Sequence, residues 1–272
     1  IIMDIPSIKD RIELFDFYLS KLNLSKILIK KMSNLSSKLT PGFSGADIKN
    51  VVNESAIIAV RNKKKKINED NIKQGIDYVM MGDIKDNILI DNEKIIVAYH
   101  ETGHCVLSYI LPDVENPIKV SIVPREKGML GFSQSEVNGE NLISKKKMEQ
   151  QILVLMGGRA AEEIFCDDIT SGASNDIEKA TEIAKRYVKT FGFHDKNKFM
   201  NQVDDNYYKN DISNYIKDIS DEEVICFLNS KYNEAIELIN NNKDSIKIIK
   251  DKLLVKRTIY YDDIKNIIEK KY

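Results

Sequence analysis

Residues 98–106 read AYHETGHCV, and the rest of the chain is best read outward from them. Histidines four positions apart on a helix stand one turn above the other on the same face, so both imidazoles can reach one ion. Around them, Ile95, Ile96, Ala98, Tyr99, Val106, Leu107 and Ile110 predict a buried helix over 92–110, stopped by Pro112. The whole chain has three histidines, and two of them, His100 and His104, fall in this one motif. Imidazole nitrogen suits zinc, and a catalytic zinc site keeps one position open for water. Glu101 follows the first histidine, where its carboxylate can take a proton from that water. The plain rival is a surface pair of histidines on a packed helix, and the apolar flanks weigh against it. Gly103 costs a helix interior about 1 kcal/mol relative to alanine. Close backbone approach by a strand or a substrate would account for it.

Two histidines leave a catalytic zinc site one ligand short, and four downstream residues are candidates. His194, after FGF, reads as the end of a helix. Glu162 and Glu163 lie on the predicted helix of LMGGRAAEEIF. Asp176 is preferred. It closes the turn TSGASND and falls in the first turn of a helix whose stripe is Ile177, Ala180, Ala184, Val188 and Phe191. Beside that stripe the carboxylate should face the core, and a helix N-terminus favours its ionised form. By position alone it serves equally well as a helix cap. Cys105 would point about a quarter-turn away from His104 and offers no fourth ligand.

Before the motif, residues up to about 81 read as short helices. Ile8, Ile12, Phe15 and Leu19 recur at helical spacing. The turn Thr40-Pro41-Gly42-Phe43 precedes Ser44, with Asp47 three residues on, a capping-box pattern. The helix it opens carries Ile48, Val51, Val52, Ala56 and Ala59 on one face and runs out into Arg61 and Lys63–Lys66. Those cations read as a solvated helix end and not as a nucleic-acid contact. A helix over 69–80 and a linker over 82–91 follow. After the motif, IKVSIV at 118–123 reads as a strand, with 128–136 as its partner. Helices are expected over 145–165, 175–191, 221–240 and 244–270, with a loop rich in Asn, Asp, Lys and Tyr at 195–218. The fold class expected is mainly α.

At 272 residues, the chain is long enough for one large or two moderate domains with real cores. Hydrophobic residues are 42% and charged residues 31%, with a net charge of −1, so nothing global points to nucleic acid or an anionic surface. Cys105, Cys166 and Cys226 have no paired spacing and read as reduced thiols. The chain opens IIMDIP without an initiator methionine, which reads as a piece of a longer protein; targeting or membrane segments would then lie upstream.

HETGH, GGRAAEEIF, TSGASNDIEKAT and, upstream of them, TPGFSGADIKNVVNESA together resemble the FtsH family of membrane-anchored AAA+ zinc proteases. The resemblance covers nearly the whole chain. It implies a small helical AAA+ lid over 1–81 and a zinc peptidase domain over 92–272. By the same resemblance His100, His104 and Asp176 bind Zn2+, Glu101 is the catalytic base, and the working unit is a homo- or hetero-hexamer. The substrates would be unfolded or membrane proteins fed by an ATPase ring. The expected setting is a mitochondrial or plastid inner membrane or a bacterial plasma membrane.

The departures are specific. No GxxxxGK[ST] loop appears, so ATP and Mg2+ enter only through an ATPase core that this chain lacks, with Gly45 and Ala46 as minor nucleotide contacts at most. Thr102 stands where the family usually has alanine. LLVKRTI at 253–259 lacks the acidic residue the family favours near Arg257. An extended substrate is expected to pair with the edge of strand 118–123. A non-catalytic hexamerisation or chaperone module with a structural zinc is the rival of a different class. Structural sites are closed by four protein ligands, and only three are in view.

Overall fold

The computed structural model describes residues 4–84, 90–125, 130–135, 142–166, 168–194 and 214–269. The chain is mainly α and separates into two compact units. One comprises 1–88 with 123–130 and 136–139; the other comprises 89–122, 131–135 and 140–272.

In the first unit four helices run in sequence: α1 (Ile8–Ser20), α2 (Lys26–Leu39), α3 (Gly45–Arg61) and α4 (Glu69–Met81). Each begins at a polar cap. Ser7, Ser25, Ser44 and Asn68 each accept a backbone N–H three residues on, and Ser44 with Asp47 forms the expected capping box. Phe15, Leu19, Met32, Ile48, Val51, Ile72 and Ile76 are fully buried between them. The stripe differs from expectation at two places. Ile8 is exposed, and Arg11 is buried in α1, donating to the carbonyl of Ser37 through Nε at 3.2 Å and Nη2 at 3.0 Å. On α3, Ser55 and not Ala56 is buried; its hydroxyl returns to the carbonyl of Val51 at 2.6 Å, which satisfies it without water. Lys63–Lys66 are all exposed.

The second unit holds the motif. Helix α5 (Asp91–Ile110) packs against α6 (Lys145–Phe165) and later against α9 (Lys243–Lys256), while α6 also carries α7 (Ser174–Lys185) and α8 (Asn214–Asn241). A three-stranded sheet has the order β2–β1–β3, with β1 at Pro117–Ser121, β2 at Phe132–Ser135 and β3 at Thr258–Tyr260, both pairings antiparallel. The last helix among the described residues is α10 (Tyr261–Glu269).

Three expectations need correction. Strand 118–123 is shorter and central, covered by a neighbour on each side, so it has no free edge for a substrate. The helix expected over 244–270 breaks at Arg257, which adopts the left-handed conformation at φ 60°. Its carbonyl then accepts the N–H of Ile122 at 3.0 Å, at the end of β1, and β3 follows. Helix α8 begins at Asn214, so 214–218 is helix and not loop; the remainder of that expected loop, 195–213, lies outside the described residues. Helix α7 ends at Lys185 and continues as a π turn over Arg186–Thr190. Among the described residues no helix is long and apolar enough to cross a membrane.

Candidate metal centre

Burial of both faces of α5 is what gathers the site. Residues 98 and 100–108 are all buried, which an amphipathic surface helix would not show. Gly103 faces α6: a Cβ there would stand 2.2 Å from the carbonyl oxygen of Gly157. The close approach expected at Gly103 is therefore real, but the neighbour is a helix and not a strand or a substrate. Thr102 is also buried and returns its hydroxyl to the carbonyl of Ala98 at 2.6 Å, so its extra oxygen is satisfied within α5.

The two imidazoles lie edge-on, ring centroids 4.7 Å apart. Their Nε2 atoms are 3.0 Å apart. Asp176 Oδ2 stands 3.2 Å from His100 Nε2 and 3.3 Å from His104 Nε2. Asp176 sits in the first turn of α7, whose N-cap position is Ala173, and its carboxylate lies against the two rings. Among the described residues, His100, His104 and Asp176 form a group whose ligand atoms all lie within 4.8 Å of one another.

Each ring is held from behind. His100 Nδ1 donates to Glu162 Oε1 at 2.6 Å. His104 Nδ1 donates to the carbonyl of Val154 at 2.7 Å. With both Nδ1 atoms committed to acceptors, the two Nε2 atoms are the ring nitrogens that face each other and the carboxylate. Glu162 also accepts from the N–H of Thr170 at 2.8 Å and from its hydroxyl at 3.0 Å, so it ties α5 to the turn that leads into Asp176.

The electrostatics follow from this enclosure. Burial disfavours a charged His100, yet hydrogen bonds to Asp176 and Glu162 outweigh it and raise the pKa to about 10. Burial works against the Asp176 carboxylate too, but the hydrogen bonds from His100 and His104 hold its pKa well below the usual range. Glu162 is likewise lowered, with burial overcome by His100 and Thr170. Glu101 goes the other way: burial raises its pKa, against the pull of His104 and His100. Two imidazole nitrogens and a carboxylate oxygen, each about 3 Å from the next, are a donor set and a spacing that fit a zinc ion bound at about 2.0–2.2 Å from each.

The other candidates lie elsewhere. Glu162 meets the Nδ1 side of His100 and not the Nε2 side. Glu163 accepts a hydrogen bond from Tyr232. His194 pairs with Glu223 at 3.1 Å. Cys105 is fully buried, and burial pushes its thiol pKa up. Gly45 and Ala46 open α3 in the first unit. Sequence reasoning missed Val154 and Gly158. A main-chain acceptor has no signature in a sequence, but the Gly157-Gly158 pair inside a predicted helix was a signal of close packing.

The family model for peptidase family M41 matches residues 87–267, and that for the AAA+ lid domain matches residues 33–74. The chain belongs to peptidase family M41. It is 34% identical to the ATP-dependent zinc metalloprotease FtsH 4 of Synechocystis over 98% of this chain and 44% of that protein. It is 37% identical to the ATP-dependent zinc metalloprotease FTSH 8, mitochondrial, of Oryza sativa over 98% of this chain and 33% of that protein. Against the mitochondrial inner membrane m-AAA protease component YTA10 of Saccharomyces cerevisiae the identity is 35%, over 96% of this chain and 35% of that protein. The FtsH resemblance read from the motifs is thus borne out. The chain spans between a third and a half of the length of these relatives.

Proposed function

We propose that this chain carries the active site of a zinc metalloendopeptidase, with His100, His104 and Asp176 as the metal ligands and Glu101 as the general base. The observation that carries the reading is the convergence of two Nε2 atoms and Asp176 Oδ2 within about 3 Å, on the helix that also bears Glu101. Zinc, when bound, lowers the pKa of water toward about 7 and polarises a peptide carbonyl. Glu162 and the Val154 carbonyl fix the rings so that Nε2 stays available. Glu101 takes a proton from water and later gives it to the leaving amine.

The substrate is an extended polypeptide. Among the described residues the sheet order leaves β2 and β3 as edge strands. β2 starts directly after Gly131, where a Cβ would come 2.8 Å from Glu101 Cγ, so β2 is the edge that adjoins the base. Backbone pairing there holds a chain without demanding a sequence. A cavity of about 390 Å3, lined in part by Ser108, Val154, Leu155 and Ile183, lies beside the acceptor of His104 and suits one substrate side chain.

In the whole protein, residues 1–81 would serve as the AAA+ lid, 82–91 as linker and 92–272 as the peptidase domain. A hexameric ATPase ring, homo- or hetero-oligomeric, would deliver unfolded or membrane proteins and supply ATP and Mg2+ binding. The longer relatives, one named for the mitochondrial inner membrane, support a membrane-anchored setting in an organelle or a bacterium. Casein cleavage by the full-length protein tests the reading. Cleavage should stop with a chelator and in Glu101→Gln, while that variant keeps its zinc and its assembly. Wild-type cleavage by Glu101→Gln would refute the mechanism. No cleavage by the wild type, with zinc bound, would favour a hexamerisation or chaperone module.

A further inference from the structure

Helix α6 stands directly behind both imidazoles and meets them at residues spaced four apart. Val154 supplies a carbonyl to His104 Nδ1 at 2.7 Å, and Glu162 supplies a carboxylate to His100 Nδ1 at 2.6 Å. Midway between them, on the same face of the helix, lies Gly158. A Cβ on Gly158 would stand 2.6 Å from His100 Cε1, 2.6 Å from His104 Nε2 and 2.8 Å from His100 Nδ1. The three nearest atoms it would meet therefore all belong to the two rings.

We infer that Gly158 is a positioning residue for the metal site: its missing side chain is the space in which both imidazoles are seated against α6. Two effects combine. The first is room, because a methyl group cannot share the space now filled by three ring atoms. The second is access to an acceptor. In an α-helix the N–H of residue 158 points at the carbonyl of residue 154, so a side chain at 158 would crowd the flank of that carbonyl. Without one, the second lone pair of the Val154 carbonyl stays open to His104 Nδ1. The neighbouring Gly157 has a different task. Its Cβ would meet Leu107 Cδ1 at 2.8 Å and the Gly103 carbonyl oxygen at 2.9 Å, so it serves the packing of α5 on α6 and not the rings.

The inference rests on the metal-site reading, and the test separates the two. Zinc affinity of the 272-residue chain is measured by competition with a chromophoric chelator, for wild type, Gly158→Ala and Gly157→Ala, alongside thermal melts of the zinc-free proteins. Gly158→Ala should weaken zinc binding by about ten- to a hundredfold, the range seen when groups behind a metal ligand are disturbed. Its Co2+-loaded form should also show a shifted visible spectrum. Gly157→Ala should lower the zinc-free melting temperature first. Alanine is the better helix former, so Gly158→Ala should not lower stability once the rings are gone. In a His100→Ala/His104→Ala background it should leave the melting temperature unchanged or raise it, which keeps the test valid even if the single variant does not fold. Wild-type zinc affinity and Co2+ spectrum in Gly158→Ala, or a lowered melting temperature in the ring-free background, would overturn the inference. Failure of the wild type to bind zinc would overturn the metal-site reading instead.

Discussion

Gly103 and Gly157 touch backbone to backbone, since a Cβ on Gly103 would lie 2.2 Å from the Gly157 carbonyl oxygen. This contact sets how near α5 comes to α6, and so whether Glu162 can reach His100. Backbone cannot yield as a side chain can. Gly103→Ala should therefore cost about 3 kcal/mol by urea denaturation of the zinc-free chain, at the upper end for an overpacked core. Wild-type stability in that variant would mean that the two helices are free to separate.

Glu162 holds an imidazole of the candidate metal group without belonging to that group, and this ranks the acidic residues. Asp176→Asn should abolish stoichiometric zinc. Glu162→Gln should weaken zinc by about ten- to a hundredfold, because the amide no longer offers the same charge to Nδ1–H. Glu163→Gln should leave zinc unchanged, since Glu163 is engaged with Tyr232. Equilibrium dialysis against zinc gives all three values. Loss of stoichiometric zinc in Glu163→Gln with retention in Asp176→Asn would reverse the assignment.

The zinc-free chain should show a pH dependence that zinc removes. The His100 pKa is raised from 6.5 to about 10 by Asp176 and Glu162, with Glu101 adding to the pull against burial. A raised pKa stabilises the fold fully below the unfolded value and loses that contribution as pH rises through the folded one. Stability should thus fall between about pH 6.5 and 10. At the acid end Asp176 is lowered from 3.8, so its contribution is present above that value and is lost as pH falls further. The same ion pair underlies both limbs. Zinc takes neutral imidazole, so loading the site should abolish the alkaline loss. Melts of both forms across this range check it; an equal alkaline loss with zinc bound would contradict the account.

Much of this was legible from periodicity and punctuation. The α5 helix, its Pro112 stop, the Ser44–Asp47 cap and the bounds of α6 follow from local rules, and the structure agrees closely. The order of the strands did not follow. β3 is three residues long and begins after Arg257, a non-glycine in the left-handed region, where the local sequence signals no break. Without β3, strand 118–123 reads as an edge, whereas β1 is the centre of the sheet. The residues behind the rings escaped for another reason. Val154 acts through its carbonyl and Gly158 through the side chain it lacks, neither of which a search for chemical groups detects. The approach of His100, His104 and Asp176 depends on α5 and α6 meeting at Gly103 and Gly157, a contact between residues more than fifty apart.

The most direct measurement is a zinc-edge anomalous difference map from crystals of the chain grown with zinc. One peak is expected, at about 2.0–2.2 Å from His100 Nε2, His104 Nε2 and an Asp176 carboxylate oxygen. A peak bound through either Nδ1, a peak on Glu162 in place of Asp176, or no peak between the two rings would contradict it.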